Sequence, residues 1–178
     1  MLTIPKRSET EIQSNQSFEA MLWALSYPGR VRNLPEPGES MVIEALIDRE
    51  CSVYTADPLL LPQILQKGAE ISDLNEADHA FLGVMKNLQA LDHVLMGSDL
   101  YPDGGATLVA RVTIGSGQKL RLTGPGVFRH QDIYLNGLPD GFWKKRCDIM
   151  RYPIGFDLFL IDEARIIGVP RSTKVELL

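Results

Sequence analysis

Lys119-Leu120-Arg121-Leu122-Thr123-Gly124-Pro125-Gly126-Val127 alternates and then breaks. Leu120 and Leu122 point to one side of a strand, and Lys119, Arg121 and Thr123 to the other. Upstream, Ala106–Thr113 has strand composition, and Gly115-Ser116-Gly117 lies between the two runs as a turn signal. The pattern predicts a β-hairpin. Downstream, Gly124 and Gly126 are free to take positive φ, while Pro125 fixes its own φ and lacks an N–H. A threonine and two glycines past a strand end leave backbone N–H groups facing either an anion or another part of the chain. The residues leave both readings open.

The chain has 178 residues, is 44% hydrophobic and carries a formal charge of −5. That is enough chain for a sizeable core, with the profile of a soluble globular protein. Net negative charge argues against nucleic acid or an acidic membrane as partner, so any anionic ligand needs a local cluster of Arg and Lys. No apolar run is long enough to span a membrane, and Met1–Arg7 lacks a signal-peptide core, so the expected location is cytoplasmic. Cys51 and Cys147 form no CxxC pair, and His79, His93 and His130 are scattered, so no metal site is expected.

Helical and extended patterns alternate along the chain, which predicts one mixed α/β domain over residues 1–178. Residues 1–16 read as a loosely held polar arm. Ser17 then caps a helix whose Phe18, Leu22 and Leu25, with Met21 beside them, make a core-facing stripe, stopped by Tyr27-Pro28-Gly29. Ser40 caps a buried helix through Ile47, with a strand as the alternative, and Ser52–Thr55 reads as a strand. Asp57-Pro58 is a helix start and Gly68 a stop, with a start at Leu61 as the alternative because Pro62 falls inside the span. Phe81–Val84 is a short strand. Asp140 caps a helix with Trp143, Cys147 and Met150 on one face and Lys144, Lys145 and Arg146 towards the other. Phe156–Ile161 and Arg165–Val169 read as buried strands.

Three constellations carry candidate chemistry. Thr123, Gly124 and Gly126, with Arg121 two residues back, suit a phosphate or phosphonate held by backbone N–H groups, or form a tight turn and nothing more. Arg171, Ser172, Thr173 and Lys174 place two cations and two hydroxyls together, which suits an oxyanion or a dimer contact. Asp157 interrupts an apolar strand and needs a partner, for which Arg121 and Arg171 are the candidates. The candidate ligand set is therefore Arg121, Thr123, Gly124, Gly126, Asp157, Arg171, Ser172 and Thr173. Gly115–Lys119 fails the Walker pattern, because its glycine spacing is wrong and no Ser or Thr follows Lys119. Lys86, Lys119 and Lys174 sit in no pyridoxal-phosphate motif.

Ser17-Phe18 through Leu25-Ser26-Tyr27-Pro28-Gly29 is the first of three stretches that together resemble the PhnH family, subunits of the bacterial carbon–phosphorus lyase system. The second runs from Gly105-Ala106-Thr107-Leu108 to Leu120–Gly126, and the third from Tyr152-Pro153-Ile154-Gly155 to Val169-Pro170-Arg171-Ser172-Thr173-Lys174-Val175-Glu176. Their order and spacing fit almost the whole chain. The resemblance implies an α–β–α sandwich with a mixed sheet, akin to the large domain of pyridoxal-phosphate-dependent transferases but without that cofactor. It implies a homodimer that joins companion subunits and exchanges the adenine of ATP for an alkylphosphonate, yielding a ribose 1-phosphonate that carries a 5-triphosphate. ATP and Mg are then substrates of the assembly, and this chain alone binds no cofactor. The resemblance supplies no catalytic residues. A dimeric scaffold, or a stand-alone binding protein for a phosphorylated small molecule, are the other readings.

Overall fold

The computed structural model describes residues 7–178. Three layers stack around a seven-stranded mixed sheet. One outer layer holds α1 (Glu9–Ser26), α2 (Ser40–Leu46) and α3 (Leu61–Gln66). The sheet contains β1 (Arg32–Asn33), β2 (Ser52–Thr55), β3 (Glu70–Ile71), β4 (His79–Gly83), β5 (Thr107–Arg111), β8 (Asp157–Asp162) and β9 (Arg165–Val169). The opposite layer holds α4 (Phe142–Ile149) and a small antiparallel sheet of β6 (Thr113–Thr123), β7 (Gln131–Asn136) and β10 (Lys174–Leu177). The mixed α/β class and mixed sheet agree with expectation. The second outer layer does not, being mostly sheet where an α–β–α sandwich has helices.

The large sheet runs β1-β9-β8-β5-β4-β2-β3. Strands β3, β2, β4, β5 and β8 are parallel; at one edge β9 pairs antiparallel with β8, and β1 antiparallel with β9. Successive residues of β5 are buried: Leu108 and Ala110 face the α4 side, and Val109 faces the α1–α3 side. A strand covered on both faces reads as a continuous apolar run and belongs at the middle of a parallel sheet.

That placement overturns the predicted hairpin. Both runs are strands, but β5 pairs with β4 and β8, whereas β6 pairs with β7 and β10 in the other sheet. Gly115-Ser116-Gly117 is a bulge within β6, since Ile114 and Gln118 both oppose Leu135. Gly115 and Gly117 have φ of +96° and +86°, and a Cβ on Gly117 would sit 2.6 Å from the Leu135 carbonyl oxygen. Only glycine fits there.

α1 also departs from expectation. It begins at Glu9, where Ser8 caps it by accepting from the Glu11 N–H at 3.2 Å, so residues 9–16 are helix; residues 1–6 of the predicted arm lie outside the described residues. Ser17 is not a cap but a buried hydroxyl that donates to the Gln13 carbonyl at 2.8 Å. Of the expected stripe, Met21 is buried and Leu25 packs partly on the core, beside Ala20 and Ala24, while Phe18 and Leu22 are 50% and 53% exposed. The cause is close approach. A Cβ on Gly168 of β9 would lie 2.6 Å from the Ala24 carbonyl carbon, so only small side chains fit between helix and strand.

Arg111, the last residue of β5, ties the layers at one sheet end. Its Nε donates to buried Glu39 at 2.6 Å and its Nη2 to Asp57 at 3.0 Å. Asp57 also accepts from the Leu59 N–H at 3.0 Å, so the Asp57-Pro58 pair starts a short 3-10 turn and α3 follows from Leu61. Among the described residues no helix is long and apolar enough to cross a membrane.

Candidate functional site

The loop after β6 is a staple. The Val127 N–H donates to the Gly124 carbonyl at 3.1 Å and closes a turn. A Cβ on Gly124 would lie 2.9 Å from the Ser172 carbonyl oxygen, and one on Gly126 2.1 Å from that of Ser26. The two glycines therefore let the loop pack between the end of α1 and the turn before β10. A Cβ on Gly29 would likewise lie 2.7 Å from Leu122 Cδ1. Leu25–Gly29, Leu120–Gly126 and Val169–Glu176, far apart in sequence, thus meet in one region.

Asp157 and Arg171 converge there. Asp157 starts β8, and its Oδ1 accepts from the Arg171 backbone N–H at 2.8 Å. Its Oδ2 accepts from Arg171 Nη2 at 2.7 Å and Nε at 3.1 Å. Arg171 also donates through Nη1 to the Pro102 carbonyl and through Nη2 to that of Gly105 at 3.2 Å. Most of its five donors are thus committed to the protein. Arg171 clamps the 102–105 turn to the large sheet.

Arg121 faces elsewhere. It makes a two-pronged pair with Asp132 of β7, Nε to Oδ1 at 2.8 Å and Nη2 to Oδ2 at 3.0 Å, and Lys119 reaches the same carboxylate at 3.2 Å. The Arg121 hydrogen bonds, and then Lys119, hold the Asp132 carboxyl well below the usual carboxylate range. Thr123 ends β6 opposite Lys174.

Ser172 and Thr173 line a cavity of about 470 Å³ with Pro125, Arg146, Arg171 and Lys174. Cys147, Met150, Tyr152 and Val175 complete it. Its lining carries three cations and no carboxylate. Of the predicted set only Arg171, Ser172 and Thr173 line it; Arg121, Thr123, Gly124, Gly126 and Asp157 stand outside, Asp157 holding Arg171 and Arg121 turned to Asp132.

Arg146 is the residue that pattern reading missed. Lys144-Lys145-Arg146 reads as a solvated charge run, yet Arg146 is only 2% exposed. Its Nη1 donates to the Thr173 carbonyl at 3.2 Å and its Nη2 to the Pro170 carbonyl at 3.0 Å, and its Cζ lies 5.8 Å from the centre of the Phe156 ring. Among the described residues, Arg146 Nε and Thr173 Oγ1 are buried without a hydrogen-bond partner. Burial lowers the guanidinium to about 10, which leaves it charged at neutral pH. A buried cation with no carboxylate partner is costly to desolvate, and a bound anion offsets that cost. The only sequence signal was spacing: Arg146 follows buried Phe142 and Trp143 by four and three positions, one helical turn.

Lys145, on the neighbouring face of α4, pairs with Asp92. Cys147 is exposed at the cavity, and Cys51 is half-buried with its thiol pushed up by burial. Among the described residues no group of His, Cys, Asp or Glu is placed to hold a metal.

Fold and pocket together define a mixed α/β protein with a cationic, apolar-walled cavity. The family model described as bacterial phosphonate metabolism protein (PhnH) matches residues 6–176. The chain is 34% identical over 169 residues to the "Putative C-P lyase subunit protein HtxG" of Stutzerimonas stutzeri, covering 90% of this chain and 85% of that protein. It is 34% identical over 114 residues to the "Alpha-D-ribose 1-methylphosphonate 5-triphosphate synthase subunit PhnH" of Rhizobium meliloti (strain 1021), covering 61% and 56%. The chain belongs to the PhnH family of bacterial phosphonate-metabolism proteins.

Proposed function

We propose that this chain is a subunit of a carbon–phosphorus lyase assembly and that its cavity at Arg146 holds the alkylphosphonate. The names of the two relatives, both subunits, support the assembly. One observation carries the cavity's role: a buried, acid-free arginine lies beside apolar walls of Met150, Tyr152 and Val175. An alkylphosphonate has the matching halves, a doubly charged head and an apolar tail. Ser172 and Lys174 supply the accessible donors at the mouth, while Arg171 and Arg146 fix the 170–174 turn that presents them.

In this reading the assembly exchanges the adenine of ATP for the phosphonate with Mg present, and the companion subunits supply what this chain lacks. The chain holds no pyridoxal phosphate, although we read its sheet as kin to that transferase domain. Homodimerisation is part of the same proposal. It is supported by the apolar face that α1 leaves uncovered: Ile12, Phe18, Leu22 and Trp23. A cytoplasmic location fits substrates such as ATP.

The test is reconstitution with companion subunits, ATP, Mg and methylphosphonate. Product should fall sharply when this chain is omitted or carries Lys174→Ala with Ser172→Ala. Equal product without the chain would sink the proposal.

A further inference from the structure

Cys147 lies in the last turn of α4, exposed, where that helix packs on β10. Its thiol donates to the Val175 carbonyl at 3.5 Å, which fixes the sulfur at the seam between helix and strand. The cavity of about 470 Å³ opens along the same seam, and Cys147 forms part of its wall. Arg146 stands one residue back, and Lys174, next to Val175, brings an exposed ammonium to the same wall. Arg171 is the third cation. The exposed acids beside them in sequence, Asp148 and Glu176, lie outside the lining. Reactive cysteines share this setting, a partly exposed thiol among positive charges.

A second observation points to an anionic occupant beside that thiol. Among the described residues, Thr173 Oγ1 and Arg146 Nε are buried without a hydrogen-bond partner, and the two residues are 3% and 2% exposed. Both line the cavity. Folded proteins leave few such groups bare, and an anion entering beside them offsets the cost. Burial pulls the Arg146 guanidinium down, and the Cys147 thiolate, ahead of Asp157, opposes that pull, so sulfur and guanidinium lie within electrostatic reach. Cys51 has the opposite surroundings. It is half-buried, and burial, followed by the charges of Asp48 and Asp78, pushes its thiol up.

We infer that Cys147 is a thiol–disulfide exchange site for small anionic disulfides, and that the adduct fills this cavity. The Cys147 thiolate attacks one sulfur of the reagent and forms a new S–S bond to that half. The reagent's own S–S bond breaks. Its other half departs as a thiolate with the electron pair and takes up the proton that Cys147 lost. Cys147 is oxidised and the departing half is reduced, so the disulfide itself is the oxidant. The retained half lays its carboxylates over Ser172 and Lys174, the accessible donors. An exposed mixed disulfide is easily reduced, which makes the change reversible. The exchange site stands on the cavity lining alone; that filling it excludes the phosphonate rests on the reading proposed above.

The experiment treats the full chain with oxidised glutathione, neutral hydroxyethyl disulfide or cationic cystamine, followed by intact mass and peptide mapping. Each rate is divided by that of free N-acetylcysteine. The adduct should form on Cys147, fastest with oxidised glutathione and slowest with cystamine, and Cys147→Ser should abolish it. Lys174→Ala should lower the glutathione rate about threefold, the effect of one unit charge at roughly 6 Å in water, and leave the neutral reagent's rate unchanged. Cystamine reacting as fast as oxidised glutathione, or an adduct formed first on Cys51, overturns the inference. In the reconstituted assembly, chain already carrying the adduct should lose product formation, and dithiothreitol should restore it. Product unchanged by a complete adduct overturns the closure of the cavity. Product formed equally without the chain overturns the phosphonate reading instead, and the order of the three rates still decides the exchange site.

Discussion

Asp157 holds Arg171 from two directions, one carboxylate oxygen on its backbone N–H at 2.8 Å and the other on its guanidinium at 2.7 and 3.1 Å. The carboxylate thus fixes both the path of the chain after β9 and the aim of the side chain. Asp157→Asn keeps the size but puts an amide N–H against a guanidinium. The expected loss is roughly 2 kcal/mol, since hydrogen bonds to charged groups are worth about 1.5–3 kcal/mol. For a chain of this length that is about 4–8 °C in Tm, read by calorimetry. Methylphosphonate affinity should fall with it, because the 170–174 turn loses its anchor.

Arg111 and Arg121 both make two-acceptor pairs, but their carboxylates differ in burial. Glu39 is 2% exposed, whereas the Asp132 side chain keeps 25%. Arg111→Ala strands a buried carboxylate and should cost about 3 kcal/mol or more. Arg121→Ala removes a solvent-screened surface pair and should cost clearly less than Arg111→Ala. Urea midpoints of the two variants test the order. If Arg121→Ala proves the worse, the assignment of Arg111 as the interlayer tie is wrong.

Burial holds the His79 imidazole below its ordinary value, with Asp78 and Asp48 opposing only in part, and its Nδ1 is buried without a partner. A group with a depressed folded-state value binds fewer protons folded than unfolded. Its stabilising effect is complete above about pH 6.5 and is lost as pH falls through the folded value, at no more than about 1.4 kcal/mol per pH unit. His79→Gln should flatten the stability profile on the acid side of neutrality, measured by urea unfolding from pH 7 to 5. An unchanged slope would show that other groups dominate.

The two cysteines should separate under alkylation. Cys147 is exposed at the Arg146 cavity, while Cys51 is half-buried, its thiol raised by burial and close to Asp48 Oδ1 at 3.4 Å. Iodoacetamide with peptide mapping should label Cys147 first, and methylphosphonate should slow that labelling. Faster reaction at Cys51 would contradict the burial.

Much of the fold could be read from pattern. The buried α2, the strand at Ser52–Thr55, the Asp57-Pro58 start and the strands on either side of Ala164 all follow local rules. What failed was partnership, because partnership is decided across the sheet. Leu108-Val109-Ala110 and Leu120-Arg121-Leu122 are both strand-like, but the first is apolar on both faces and the second on one. That difference separates a central parallel strand from an outer antiparallel one, and it outweighs a glycine-rich segment between them. On α1, Met21 and Leu25 of the expected stripe do pack on the core, but Phe18 and Leu22 do not, because the helix backbone at Ala24 lies against Gly168 and turns the inner face to Ala20, Met21 and Ala24.

The candidate site was half legible. Asp157 was visible as an acid in an apolar strand, and Arg171, Ser172 and Thr173 as a cluster of charge and hydroxyls; Asp157 and Arg171 do pair. Arg121 was assigned to the same cluster because it shares a strand with the glycine loop, but Asp132, unremarked in the sequence, claims it. Arg146 stayed hidden because its partners are backbone carbonyls, which no side-chain pattern reports.

Val112 alone separates β5 from β6, and its N–H is donated to the Ile161 carbonyl at 2.9 Å. The chain thus leaves the centre of one sheet and enters the other without slack. Neither sheet is free to open while the other stays closed, so the molecule should unfold as one cooperative unit. Hydrogen exchange should report it: Leu120 and Leu122 of the small sheet are expected to share the slow class of Leu108 and Leu158.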